Sequence, residues 1–204
     1  NHFGEAAGDF SVTDEKVKSA LLPLIGKEIV PVITGFIGST EDGLTTTLGR
    51  SGSDYTGSIV GAAMNSQEIW IWTDVDGVMT ADPRYVTGAK VLSEISYREA
   101  AEMSYFGAKI IHPKTMMPAI EKNIPIRIKN TFNPPHPGTL ISQSTNTTDR
   151  VVKNITSIDN LSLIAIEGNG MVGVPGISAR IFSALARVRV NVMMISQASS
   201  EHNV

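Results

Sequence analysis

The sequence predicts an α/β protein with a mostly parallel open sheet and helices on its faces. Three observations carry that expectation. Short apolar or β-branched runs alternate with helix-like segments over residues 14–128. Two helix starts are spelled out chemically, by Ser96-Tyr97-Arg98-Glu99 and by Pro113. The 204-residue chain is 42% hydrophobic and 18% charged, which suits one good core and part of a second.

The elements follow in order. Residues 14–26 read as a helix closed by Gly26, with Pro23 disturbing its last turn. Ile29–Thr34 reads as a short apolar strand, and Gly35–Gly38 as the turn leaving it. Residues 54–65 form a helix of small residues with Ile59, Ala62 and Ala63 on one face. Ile69-Trp70-Ile71-Trp72 reads as a buried strand because it is β-branched and aromatic. Ser96 and Glu99 form a capping box that opens a helix running to about Phe106, and the next helix begins at Pro113. Ile124–Ile128 is another strand, placed near a sheet edge because Pro125 has no N–H for the ladder.

Asn133–Gly138 then breaks the alternation, and residues 133–149 read as the exit from a first domain, with Thr139–Ile141 available as a last short strand. A second unit follows. Ser162–Ile166 reads as a strand, Gly168–Gly176 as a glycine-rich loop, and Asn191–Ser196 as a second strand. The helix between them carries Ile177, Ile181, Leu185 and Val188 at spacings of four, four and three. A unit of two strands and one helix buries too little to stand alone, so residues 150–204 read as the truncated start of a larger domain after a first domain of residues 1–149.

Composition narrows the function classes. The net charge is −3, the pI is about 5.8 and no basic run occurs, so no nucleic-acid partner is expected. No apolar stretch approaches the roughly 20 residues of a bilayer span, and no signal peptide is visible. The absence of cysteine rules out disulfides and fits a cytoplasmic protein. The four His residues are far apart, so no His-cluster metal motif is expected.

Three segments carry chemistry. Thr45–Gly57 packs hydroxyls, glycines, Arg50 and Asp54 into one turn-rich stretch ahead of a helix. A guanidinium for a carboxylate, a carboxylate for an ammonium and free backbone N–H groups together suit a small zwitterion. Thr73–Arg84 follows a strand end, where open α/β sheets bind ligands; Thr73 and Asp74 are placed for a nucleoside and Arg84 for phosphate. Spacing alone favours the plainer reading of the same stretch, a turn at Asp76-Gly77 and a stop at Asp82-Pro83. Ala100–Pro113 leaves Lys109 in a corner between two helices, aimed at a polyphosphate or simply solvated at a helix C-terminus. His112 before Pro113 reads as structural. No G-x-x-x-x-G-K-[ST] pattern occurs, so a nucleotide site here would not be a P-loop.

Together these segments resemble the aspartate kinases of the amino acid kinase family. Thr73–Arg84 resembles a loop shared across that family, whereas Thr-Thr-Thr-Leu-Gly-Arg-x-Gly-Ser-Asp at 45–54 and Phe-Gly-Ala-Lys-x-x-His-Pro at 106–113 resemble aspartate kinases in particular. Gly35-Phe36-Ile37-Gly38 agrees. Residues 150–204 resemble the start of an ACT-type regulatory region, through Gly173–Gly176 and Ile195–Glu201.

The resemblance implies transfer of the ATP γ-phosphoryl group to the side-chain carboxylate of L-aspartate, with Mg2+ accompanying ATP. It implies Arg50 and Asp54 as the residues that orient aspartate, with Phe36, Ser51, Gly52 and Ser53 lining the same pocket. It implies ATP contacts from Thr73, Asp74, Met79, Arg84, Lys109 and Ile110. Met79 stands where the family often has Tyr, and Ser51 where it often has Gly. Val174, Gly176, Asn191 and Gln197 fall at the implied effector site, with threonine preferred over lysine as the feedback effector; Asn191 and Gln197 read equally as a solvated strand end. A homodimer through paired regulatory domains is likewise implied, as is a place in the synthesis of lysine, threonine and methionine. The family's Lys-Phe-Gly-Gly phosphate-binding segment does not occur in this sequence, so the 204-residue chain alone is expected to have little kinase activity. The competing readings are a non-catalytic amino-acid-sensing and dimerising piece, and a related kinase such as glutamate 5-kinase.

Overall fold

The computed structural model describes residues 8–108, 111–145, 152–167 and 174–196, in two units, Asn1–Ile158 and Asp159–Val204. In the first unit, Asp9 caps helix α1 (Phe10–Ile25) by accepting from the Ser11 and Val12 amides at 3.1 and 3.3 Å. The helix thus starts four residues earlier than its apolar pattern suggests. Phe10 meets Tyr55 edge to face at 6.5 Å, which joins α1 to α2 (Gly52–Ala63).

Ile29–Thr34 is not a strand. No described strand lies beside it, Pro31 has no amide hydrogen, and Val30 and Val32 are 85% and 97% exposed. Pairing begins instead where a turn was expected. β1 (Ile37–Ser39) runs antiparallel to β2 (Thr45–Thr47), with Gly38 opposite Thr46. The threonine run is therefore a strand that feeds α2, not a loop.

The main sheet contains β3 (Ile69–Thr73), β4 (Glu94–Ser96), β5 (Ile126–Asn130) and β6 (Thr139–Ser142), in the order β3-β5-β6-β4. β3 and β5 are parallel, β4 and β6 are parallel, and β5 meets β6 antiparallel. The α/β class and the predominance of parallel pairs hold, with one reversal in the middle. β5 is central rather than near an edge: Pro125 lies just outside it, and its carbonyl still accepts from the Ile69 amide at 2.9 Å. The missing Pro donor therefore costs the ladder nothing.

Alternation along the strands sends Ile69, Ile126, Ile128, Ile95 and Ile141 into one buried layer. Ala62 of α2, Ala100 and Met103 of α3 (Tyr97–Tyr105), and Met116 and Ala119 of α4 (Pro113–Glu121) complete that layer. The capping box that opens α3 is present in full, with Ser96 and Glu99 bonded reciprocally at 2.7 and 3.1 Å. His112 caps α4, its Nδ1 accepting from the Lys114 amide at 3.2 Å, so its role is structural. Burial pushes the Tyr97 hydroxyl up to about 12, and this hydroxyl donates to the Ile124 carbonyl.

The other face of the sheet carries Trp70 and Trp72. They are 53% and 45% exposed, whereas Ile69 on the opposite face is buried, so β3 is buried on one face only rather than throughout. Lys129 reaches over both rings, its Nζ 5.2 and 5.5 Å from the two ring centres, and donates to the His136 carbonyl at 3.0 Å.

Residues 152–158 belong with the first unit, although the sequence pattern assigned them to the second. Lys153, Asn154 and Ile155 are bonded to Glu99, Met79 and Thr80, and this pairing outweighs the polar composition that suggested a boundary at 149.

In the second unit the expected helix is present as α5 (Ile177–Arg187), with Ile177, Ile181 and Leu185 half-buried along one side. The two flanking strands are not formed among the described residues. Strands exist only by pairing, and Leu163 and Met194 stand 97% and 77% exposed.

Candidate active site

The first half of the site is built where the β1–β2 hairpin meets the start of α2. Leu48 donates to the Phe36 carbonyl at 2.9 Å, and the Phe36 amide donates to Thr56 Oγ1 at 3.1 Å. The Thr56 hydroxyl in turn donates to the Gly52 carbonyl at 2.8 Å. Phe36 is thus fixed over the first turn of α2 in a left-handed conformation, φ 74°. Gly52 is the partner that permits it: a Cβ there would come within 2.7 Å of the Phe36 ring.

Ser51 caps α2 with φ 56° and no side-chain bond to the helix. The Gly52 amide donates to the Gly49 carbonyl at 3.0 Å, and the Ser51 hydroxyl leaves the Ser53 and Asp54 amides to another acceptor. Arg50 is exposed just before it, and Ser53 is exposed just after it. Asp54 lies in the first turn and is half-buried, and loss of hydration holds its carboxyl above the usual range. The structure thus gathers Phe36, Gly52, Ser53 and Asp54 at one helix start, with Arg50 and Ser51 leading into it. A left-handed Phe and Ser in this corner carry no signal in composition.

The second half follows β3. Thr73 ends the strand, and its hydroxyl donates to Asp74 Oδ1 at 3.1 Å. The loop then returns along itself. Met79 bridges to Val91, Thr80 donates to the Lys90 carbonyl at 2.8 Å, and Leu92 donates to the Val78 carbonyl at 2.7 Å. Arg84 is engaged in this state: its guanidinium grips Asp82 with Nε at 3.0 Å and Nη2 at 2.6 Å. It is 66% exposed there, so a stronger anion competes for it at little cost. Lys109 and Ile110, the last two expected nucleotide contacts, lie outside the described residues.

Two asparagines that sequence reasoning missed anchor this loop. Asn130, at the end of β5, and Asn133 donate to Asp76 Oδ1 at 2.8 and 3.0 Å. Their donation, Asn130 first, holds the Asp76 carboxyl below the usual range. Asp76-Gly77 is therefore a turn bolted to the neighbouring strand. Its only sequence signal was an acid beside a glycine after an apolar strand.

Among the described residues no three His, Cys, Asp or Glu side chains converge to hold a metal. A site for nucleotide-borne magnesium needs no such cage, because that ion keeps its waters and phosphate oxygens. In the second unit, Val174 is exposed, Gly176 caps α5 at φ 85°, and the Asn191 amide lies 3.2 Å from Met193 Sδ. Asn191 is not in a strand, and Gln197 falls outside the described residues. No described helix is long and apolar enough to cross a membrane.

Comparison with known proteins agrees with this layout. The amino acid kinase family model matches residues 3–130, and an ACT domain model matches residues 164–204. The chain is 52% identical to the bifunctional aspartokinase/homoserine dehydrogenase 2 of Zea mays over 177 residues, covering 85% of this chain and 19% of that protein. Among solved structures, E. coli aspartokinase III in complex with lysine and aspartate aligns with a TM-score of 0.77 at 35% identity, covering all of this chain and 45% of that one. The same enzyme in complex with aspartate and ADP aligns with a TM-score of 0.76 at 34% identity and the same coverage. The chain thus spans about a fifth of the curated relative it matches and under half of the solved aspartokinase. The matched model covers most of the first unit and includes both halves of the site, and the chain belongs to the amino acid kinase family.

Proposed function

We propose that the protein containing this chain is an ATP-dependent aspartate kinase. The observation that carries the reading is the corner at the start of α2, where Arg50, Ser51 and Asp54 surround a helix N-terminus roofed by Phe36. Arg50 presents a planar fork that suits a carboxylate bidentately, and Asp54 offers a carboxylate to the substrate ammonium or to a neighbouring base. Ser51, Gly52 and Ser53 line the same corner, and the Ser53 and Asp54 amides at the helix start favour negative charge.

On this reading a side-chain carboxylate oxygen of L-aspartate forms the new bond to the γ-phosphorus. The bond from that phosphorus to the bridging oxygen breaks, and ADP leaves with the electron pair. The nucleophile is already an anion, so no Ser or His activation is required, and catalysis reduces to positioning and charge stabilisation. Thr73, Asp74 and Met79 would hold the nucleoside end of ATP, Arg84 and Lys109 the phosphate end, and Ile110 would complete the ATP contacts. Magnesium supplies charge neutralisation on the phosphates when bound. Residues 150–204 would sense an amino acid, threonine or lysine, through Val174, Gly176, Asn191 and Gln197, and pair with a second copy. The complex of E. coli aspartokinase III with lysine and aspartate supports an amino-acid effector for a protein of this kind.

The test is phosphoryl transfer by the full-length protein with aspartate and, separately, glutamate as acceptor. Phosphorylation of aspartate alone, lost in Arg50→Lys, is the expected result. Equal use of glutamate would replace this reading with glutamate 5-kinase. Binding of threonine or lysine without any ATP binding would leave only the sensing module.

A further inference from the structure

The segment that leaves the first unit does not simply lead away from it. Lys153 Nζ reaches Glu99 Oε1 at 2.8 Å and Thr145 Oγ1 at 3.3 Å. Asn154 Nδ2 donates to the Met79 carbonyl at 2.6 Å, and the Ile155 amide donates to the Thr80 carbonyl at 3.0 Å. Ser157 then passes directly against Gly107, where its carbonyl occupies the place a Cβ would need. Gly107 also has φ 98°, a second reason for glycine there.

Met79 and Thr80 are thereby held from two sides. Residues 90–92 grip the loop from one side through Thr80, Lys90 and Leu92. Residues 154–155 grip it from the other, at consecutive carbonyls 79 and 80. A carbonyl accepts from either an amide or water, so neither bond is needed merely to keep the loop folded. What two consecutive donors do fix is the plane of the peptides at Met79 and Thr80, and with it the direction of the Met79 side chain.

We propose that residues 152–158 act as a strap on the nucleotide loop, and that Asn154 is a positioning residue for ATP binding. The proposal rests on the kinase reading for its ligand. The geometry it invokes is independent of that reading. Asn154 touches no substrate; it acts through Met79. Its amide must donate, since the Met79 carbonyl can only accept.

Two measurements on the full-length protein test it. In titration calorimetry with MgATP, Asn154→Ala is expected to weaken binding about three- to tenfold, the range for one lost neutral hydrogen bond. Asn154→Asp keeps the shape but offers no donor and is expected to weaken binding at least as much. L-aspartate affinity should stay unchanged in both, a split that general destabilisation would not produce. In the ligand-free chain, amide hydrogen exchange at Thr80 and Lys90 should accelerate in Asn154→Ala. Arg84→Ala separates the two readings. If Arg84→Ala loses ATP while both Asn154 variants bind as wild type, the strap is wrong and the kinase site stands. If wild type and Arg84→Ala show no difference toward ATP, the nucleotide reading is wrong, and unchanged exchange at Thr80 and Lys90 would then overturn the strap as well.

Discussion

Asn130 donates to Asp76 at 2.8 Å across 54 positions of sequence, tying the end of β5 to the loop that leaves β3. Asn133 adds a second donor to the same oxygen at 3.0 Å. Two parallel neighbours in the sheet thus share one clamp at their carboxyl ends, where α/β sheets bind ligands.

That clamp makes a pH-dependent contribution. The Asp76 carboxyl is lowered by the two amides, so the folded chain favours its ionised form. Its contribution is therefore present above the ordinary Asp value of about 3.9 and is lost as pH falls through the lower folded value. Asp76→Ala should be less stable than wild type at neutral pH, and the gap should close below about pH 4. Thermal unfolding of both chains across that range checks it; a gap that persists in acid would mean that packing, not charge, carries the effect.

Asp54 predicts the opposite sign. Its carboxyl is raised by desolvation, so burying the ionised form costs stability at neutral pH. The penalty is absent below the ordinary Asp value and sets in as pH rises through the elevated folded value. Asp54→Asn should therefore melt higher than wild type at pH 7 while binding L-aspartate at least about tenfold more weakly, the scale of a lost charged hydrogen bond. Paired melting and aspartate titrations measure both, and a variant that melts no higher would count against the desolvation argument.

Thr139 is the polar keystone between the loop and the sheet. Its buried hydroxyl accepts from the Val78 amide at 2.8 Å and donates to the Leu92 carbonyl at 2.6 Å. Thr139→Val strands both groups and should cost about 1–3 kcal/mol for each. Thr139→Ser retains the hydroxyl and should cost under about 1.5 kcal/mol for the lost methyl. Urea unfolding with an unchanged m-value distinguishes the two.

Gly52→Ala tests the roof of the aspartate corner. The added methyl would meet the Phe36 ring at 2.7 Å and Leu48 Cβ at 3.3 Å. Overpacking of this kind costs about 1–3 kcal/mol, and the displaced Phe36 should reduce aspartate affinity more than ATP affinity. Equal loss of both ligands would point to unfolding of α2 instead.

Much of this was legible in the chain. The capping box at Ser96 and Glu99, the proline start of α4 and the apolar spacing of α5 all produced the expected helices, because caps and periodicity act within one turn or two. Strands were read less well. Ile29–Thr34 has strand composition but no neighbour to pair with, whereas Thr45–Thr47 looks like a loop and pairs with Ile37–Ser39. β-structure is decided by the partner, and a partner is not a local property. Glu94–Ser96 escaped notice for the same reason: its three residues gain meaning only beside β6.

The sequence by itself determined the α/β class, the helix starts and the motifs at 45–54, 73–84 and 106–113 that name the family. Tertiary structure alone decided which side chains those motifs recruit. Asp76 with Asn130, Thr139 with Val78, and Asn154 with Met79 lie 54, 61 and 75 positions apart. Bonds of that span follow from strand order and from where a loop is folded back, and no local periodicity encodes either.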